Sequence, residues 1–317
     1  MDYGHSYADE RLKSLEKKLK KEYIKAAAEA HRKARSYLDG FGEYDKMLAE
    51  KVKLGEMNKR DYMIWRKKTL FYGNQWLDTT KMLTESFINA GGIAADMIND
   101  TCLDAFALNF NFGTYEVEKL SKLNTSFTLV DKQTVRRLIE RQPDLLPIKT
   151  LEKKFTNSKA WRWHSRKLQS VAIQSILQGD SIPTIADRLA RETGNSDLNS
   201  AVRNARTMMT SAENGGRSES YKRAKSLGIQ MKKEWLSTND DRTRHSHQEQ
   251  PEGVGGEVVE IDEPFSNGLM YPGDPDGDPD ELYNCRCTLV GALEGIDYDV
   301  DLEPAQIGSF EDWQNEH

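Results

Sequence analysis

Cysteine is scarce in this chain: its 317 residues include three, Cys102, Cys285 and Cys287. A disulfide framework is excluded, because a Cys285–Cys287 bridge would close a tight strained ring and leave Cys102 over. Long hydrophobic runs are missing as well. No stretch approaches the roughly 18–20 apolar residues of a membrane span, and Met1-Asp2-Tyr3 opens neither a basic nor an apolar leader region. The expectation is a soluble chain made in a reducing compartment. Proline is rare, with seven of its nine residues at 143–147 and 251–279. Basic residues nearly vanish from the end: after residue 250 only Arg286 stands against 18 acids, whereas residues 1–250 hold 44 Lys and Arg against 33. The net charge of −6 thus hides a basic body able to face nucleic acid and an acidic tail.

What is present is mostly helical pattern. Hydrophobic content of 37% against 30% charged points to elongated helices or large solvated faces, while 6 Trp, 12 Tyr and 10 Phe argue against disorder. Leu12, Leu15, Leu19, Tyr23, Ala26, Ala30, Ala34 and Leu38 recur every three or four positions, which predicts one amphipathic helix from Arg11 to Leu38. Lys17, Lys18, Lys20, Lys21 and Lys25 line its other side, and Glu16, Glu22 and Glu29 among them favour a solvated face over a nucleic-acid surface. Further helices are expected over 44–72 and 74–110, the second interrupted around Gly91-Gly92, then over 131–141, 157–178, 181–191 and 197–227. Cys102, among apolar neighbours, reads as a small buried hydrophobe. After Gly228 two strand-like pieces, 229–236 and 258–261, lie among Gly and Pro. The expected fold class is a mainly α N-terminal region with a small loop-rich α+β C-terminal domain. Its segments are a helical docking region at 1–150, a helical segment at 151–228, the α+β module at 229–292 and an acidic tail at 293–317.

Two clusters carry the chemistry: Trp235 to His247 and Tyr271 to Leu289. Cys285 and Cys287, spaced i, i+2, leave one face of an extended strand, and His245 and His247 share that spacing. Two such strands would offer zinc two sulfurs and two nitrogens; two reduced thiols that simply pack are the alternative. Asp241, Arg242, Arg244 and His247 read either as a frame of Asp–Arg pairs or as the set of a nuclease or toxin-like enzyme, in which Asp241 orients the His247 base and Arg244 stabilises an anion. No G-x-S-x-G turn, Walker loop or H-E-x-x-H accompanies them, which weighs toward the frame. Arg286, alone in the acidic segment, is an expected internal ion-pair partner. Asp274, Asp276, Asp278 and Asp280 alternate like a calcium loop, but Gly277 falls at the fourth position rather than the sixth, so a solvated turn fits better.

At these clusters the chain resembles the phage Mu F-like head-morphogenesis family of minor capsid proteins. The family pattern Trp-x-x-Thr-x-Asp-x-Arg-x-Arg-x-x-His is met by Trp235, Thr238, Asp241, Arg242, Arg244 and His247, with Asn239-Asp240 lengthening the Thr-to-Asp interval. Its Tyr-Pro-Gly-Asp-Pro loop is met by Tyr271 to Pro275, and its Asn-Cys-Arg-Cys-Thr by Asn284 to Thr288. A weaker likeness runs back through Gln178-Gly179-Asp180-Ser181-Ile182 and Ala205-Arg206-Thr207, departing at Met208 where the family usually has Glu. The resemblance covers about residues 160–290. It implies a non-enzymatic minor head protein inside the capsid, assembled in the host cytoplasm and associated with the portal. Major capsid or scaffolding protein and double-stranded DNA are further expected partners; a membrane is not. It would act in head morphogenesis and in DNA packaging or ejection. Trp235, Thr238, Asp241, Arg242, Arg244, Asn284 and Arg286 would then form a structural polar cluster, with His247, Cys285 and Cys287 as metal ligands; His245 is a further candidate from its spacing to His247.

Overall fold

A computed structural model of the chain describes residues 2–148, 158–296, 303–304 and 306–317. Long helices dominate it: α1 (Tyr3–Leu38), α2 (Gly42–Lys53), α3 (Lys59–Leu70), α4 (Asn74–Ser121), α5 (Lys132–Arg141), α6 (Lys159–Gln178) and α7 (Ile182–Ser226). A short β1 (Leu123–Asn124) follows α4 and pairs with β5 (Glu303–Pro304). The small sheet is β2 (Ile229–Leu236), β3 (Val258–Glu260) and β4 (Thr288–Ile296), antiparallel in the order β3-β2-β4. A four-residue turn of helix, α8 (Pro279–Leu282), precedes β4, and α9 (Phe310–Glu316) ends the chain. The expected class, helices followed by a small α+β part, is what the structure shows. Among the described residues no helix is long and apolar enough to cross a membrane.

The helix boundaries have local causes. Ser158 caps α6 by accepting from Trp161 N, and Gly179, at φ 76°, ends it in the left-handed conformation. The predicted start at 157 and the connector at 149–156 lie outside the described residues. Several expected boundaries are corrected: α1 begins at Tyr3 rather than Arg11, and α4 runs past 110 to Ser121. The helix over 44–72 is two, α2 and α3, parted by Gly55 at φ 76° and restarted by the Asn58 side chain accepting from Arg60 N. Gly91-Gly92 does not interrupt α4, because the buried stripe Leu83, Phe87, Ala90, Ala94, Ile98 crosses the pair. Burial of that stripe outweighs a propensity cost of about 1 kcal/mol per glycine. The expected break at 192–196 is likewise absent: α7 continues through Gly194, where a Cβ would stand 3.2 Å from Ala27 Cβ and 3.4 Å from Phe87.

The chain forms two compact units, Met1–Glu16 with Met97–Lys149 and Arg203–His317, and Lys17–Asp96 with Thr150–Val202. Each draws on segments that the consecutive division 1–150, 151–228, 229–292 and 293–317 keeps apart. In the second unit Leu19, Tyr23, Ala26, Ala30, Ala34 and Leu38 are buried as their spacing requires, together with Leu83, Phe87, Leu168, Val171, Ile185 and Leu189. The buried Arg66 bridges Asp45 and the Asp180 carbonyl, 2.6 Å away. Lys17, Lys18, Lys20, Lys21 and Lys25 are exposed.

In the first unit α4 and α7 approach so closely that a Cβ on Gly216 would lie 2.5 Å from Phe106 O. Ile229, Met231, Lys233 and Trp235 alternate inward on β2 and pack with Ile261, Phe265, Leu269, Tyr271 and Leu289. Lys233 is the charged member of that inward row; it donates to Ile261 O and Met270 O at 3.0 and 2.9 Å, and burial pushes its pKa down to about 8. The acidic tail carries α9, capped by Ser309 and Asp312, whose Phe310 and Trp313 bury against Phe112, Tyr115 and Phe127. Residues 297–302 and 305 of that tail lie outside the described residues. Neither β4 nor α9 was expected from pattern.

Candidate functional site

The site is built on one face of α7. Thr207, Thr210, Ser211, Asn214 and Arg217 recur at helical spacing and turn their polar groups onto two C-terminal loops. Ser211 Oγ donates to Gly273 O at 2.5 Å, and Asn214 Nδ2 donates to Pro272 O at 3.0 Å and Cys287 O at 3.1 Å. Thr210 Oγ1 donates to Cys285 O at 2.6 Å, Leu289 N donates to Asn214 Oδ1 at 2.7 Å, and Arg217 Nη1 donates to Leu289 O at 3.1 Å. Asn284 N reaches Thr207 Oγ1 at 3.3 Å. Gly273 (φ 80°) lies so near the helix that a Cβ there would stand 2.9 Å from Ser211 N. The Tyr-Pro-Gly-Asp loop therefore needs glycine at that point. Its Asp274 is buried and accepts from Met270 N and Asp276 N, so it shapes the turn; Asp276, Asp278 and Asp280 are exposed.

Held against this face, Asn284 adopts φ 58°, and the chain enters β4 with Cys285 and Cys287 both buried. The turn at residues 245–247 brings the buried His247 to them: its Nδ1 lies 3.5 Å from Cys285 Sγ and 3.8 Å from Cys287 Sγ. The Nε2 atom faces Glu281 Oε2 at 2.7 Å, and Glu281 also accepts from Ser246 Oγ. Trp235 packs edge-on against the His247 ring, centroids 4.8 Å apart. Hydrogen bonding between the sulfurs, with His247 beside them, favours a thiolate at Cys287 and raises the Cys285 thiol. Cys102 is wholly buried and its thiol is pushed up to about 12, as for an inert packing residue.

Of the four expected metal ligands, the structure gathers three: the ligand atoms of His247, Cys285 and Cys287 lie within 4.8 Å of one another. His245 stands aside, exposed, with its Nδ1 3.0 Å from Gln248 Oε1. The reason is the short helical turn at 245–247, which breaks the extended i, i+2 relation.

The polar cluster is rearranged too. Arg286 is paired bidentately, but with Asp240 rather than Asp241, at 2.5 and 2.7 Å; those hydrogen bonds hold the Asp240 carboxyl well below its usual range. Asp240 also accepts from Arg242 N and Thr243 Oγ1. Asp241 and the Arg242 side chain are exposed. Arg244 donates to Tyr283 O, Thr238 Oγ1 donates to Arg286 O at 2.6 Å, and Trp235 is fully buried. An Asp241–His247–Arg244 catalytic set is not assembled, since both ring nitrogens of His247 are engaged by Glu281 and the thiols.

Glu281, Asp240 and the α7 stripe escaped sequence reasoning. The signal for the stripe was available as Thr207, Thr210, Ser211, Asn214 and Arg217 at helical spacing, on a helix that also buries Ala205, Met208, Met209, Ala212 and Tyr221. Met208, where the resemblance leads one to expect Glu, is simply buried.

Residues 166–290 match the family described as Phage Mu protein F like protein. The chain is also 27% identical, over 209 residues, to an NAD(+)--arginine ADP-ribosyltransferase EFV of Enterococcus faecalis (strain ATCC 700802 / V583), covering 63% of this chain. It spans 40% of that relative's length. No solved structure matches. The matched segment opens within α6, takes in α7 and closes in β4, so it contains the polar face, both anchored loops and the His-Cys-Cys cluster. Residues 166–290 are thus similar to the family described as Phage Mu protein F like protein.

Proposed function

We propose that this chain is a minor head protein of a tailed bacteriophage, seated in the capsid interior beside the portal and acting in head morphogenesis and in DNA packaging or ejection. The observation that carries the reading is the match over residues 166–290, whose distinguishing side chains are spent on holding loops to a helix. A protein that works by assembly needs such a fixed module and no turnover. The ADP-ribosyltransferase named among its relatives is much longer, with 40% of it matched here.

Mass spectrometry of purified phage heads tests the reading: the chain is expected in them and is expected to co-purify with the cognate portal protein. Its absence from heads would sink the proposal. Removing residues 1–150 is not a usable test of docking, because α4 from Met97 belongs to the unit that holds the sheet. The enzymatic alternatives are checked by incubating the full chain with NAD+ and an arginine analogue, and with DNA and RNA. Neither nicotinamide release nor cleavage is expected.

Contact with packaged DNA is a second reading, favoured by the exposed Lys17, Lys18, Lys20, Lys21 and Lys25 on α1. Binding through phosphates falls with salt at a log–log slope of about −0.9 per phosphate neutralised. A salt-independent signal, or none at low salt, would dismiss that reading.

A further inference from the structure

We propose that His247 Nδ1, Cys285 Sγ and Cys287 Sγ bind a zinc ion, with Glu281 orienting the histidine and a solvent molecule as the fourth ligand. The proposal is independent of any role in a phage head.

Two thiols converge on a single nitrogen lone pair. That lone pair accepts one hydrogen, so in a purely hydrogen-bonded arrangement one thiol meets the nitrogen and the other is left to the neighbouring sulfur, a weak acceptor. A cation seated among the three atoms satisfies all of them. Zn–S bonds of about 2.3 Å and Zn–N bonds of about 2.0–2.1 Å at tetrahedral angles place sulfur and nitrogen about 3.5 Å apart. The separations here are 3.5 and 3.8 Å.

The histidine is prepared for this part. Glu281 Oε2, 2.7 Å from Nε2, holds the ring in the tautomer with the proton on Nε2 and the lone pair on Nδ1. That is the carboxylate–histidine arrangement that raises ligand basicity and fixes ring orientation at metal sites. The cysteines are prepared as well: Thr210 and Asn214 of α7 clamp the carbonyls of Cys285 and Cys287. Two thiolates and a neutral imidazole balance a divalent ion, so all three side chains can be buried, at 1–3% exposure, without stranded charge. Two sulfurs and one nitrogen select zinc over the oxygen-seeking calcium and magnesium. Among the described residues no fourth His, Cys, Asp or Glu joins the group. The ion would tie the turn at 245–247, at the far end of the loop from β2, to the start of β4.

The full chain, purified under reducing conditions and dialysed, is expected to carry one zinc per chain. Cobalt substitution is expected to give the visible bands of a tetrahedral site and a thiolate-to-cobalt charge-transfer band. Cys285→Ser and Cys287→Ser should each abolish both signals, while Cys102→Ser leaves them intact. Glu281→Gln keeps all three ligands and should retain the stoichiometry with affinity weakened about 10–100-fold. A metal-free protein that shows no cobalt bands, or one with a Cys285–Cys287 disulfide, would overturn the proposal. Unchanged affinity in Glu281→Gln would overturn the part given to Glu281.

Discussion

Asn214 shows how much one side chain can carry. It donates to Pro272 O and Cys287 O and accepts from Leu289 N, so it joins the glycine loop, the second cysteine and the first turn of β4. Replacing it with alanine leaves a buried N–H and two buried carbonyls to find new partners. Each orphaned group costs about 1–3 kcal/mol, and such losses are not fully additive. Asn214→Ala is expected to lower stability by about 3 kcal/mol, read as a fall in the urea midpoint with an unchanged slope. A shift below about 1 kcal/mol would mean that the loops are held mainly by their apolar contacts. Thr207→Ala, which loses only the 3.3 Å contact with Asn284 N, is the mild comparison.

Among elements, α9 departs most from its composition. Glu311, Asp312 and Glu316 make it look like solvated tail, yet the Ser309–Asp312 capping box starts a helix. Trp313 then stacks on Phe127, and its Nε1 donates to Glu118 Oε2 at 2.6 Å. Trp313→Ala removes a buried aromatic and leaves that carboxylate short of a donor. A loss of about 3–5 kcal/mol is expected, measured by thermal or urea unfolding; near-neutral behaviour would show that α9 is not docked. Where the pattern was long and periodic, as over Arg11–Leu38, the sequence sufficed, although α1 already begins at Tyr3. It failed where tertiary contact overrode a local signal, at Gly91-Gly92 and Gly194, and where too few residues existed to show a period, at α9. In the site, His247, Cys285 and Cys287 were legible from type and spacing. Glu281 was not, because a carboxylate 34 residues from its histidine leaves no local trace. Asp240 rather than Asp241 was legible: Thr238-Asn239-Asp240 and Asp240-Asp241-Arg242 fit the Thr-x-Asp-x-Arg spacing with no lengthened interval.

For the whole molecule the charge asymmetry has a structural answer. Acids from the C-terminal stretch pair with bases upstream, Asp262 with Lys225, and Glu260 and Glu294 with Lys232. The titration of the first unit is set largely around the buried Arg217. Burial raises the Glu116 carboxyl to about 7, against Arg217 3.8 Å away; Asp2 adds to the rise, while Lys119 and the Tyr221 hydroxyl at 2.9 Å oppose it. The hydrogen bond to Glu213 raises His5 above its ordinary value. Both groups therefore bind protons more tightly in the folded than in the unfolded chain. Their contribution is fully present below the unfolded values and is lost as pH rises, for Glu116 between about 4.5 and 7. With the Glu116 side chain 20% exposed, the loss is on the order of 2 kcal/mol. Glu116→Gln is expected to flatten the decline in unfolding free energy across that range, and a variant with an unchanged pH profile would refute the assignment.

The polar face of α7 addresses its two loops almost wholly through main-chain atoms: the carbonyls of Pro272, Gly273, Cys285, Cys287 and Leu289 and the amides of Asn284 and Leu289. Main-chain partners are indifferent to the side chains they carry. The helix thus acts as a template that fixes the path of the loops while leaving the outward positions Asp276 and Tyr283 open to exchange. A new surface specificity can be written there without dismantling the mount beneath it.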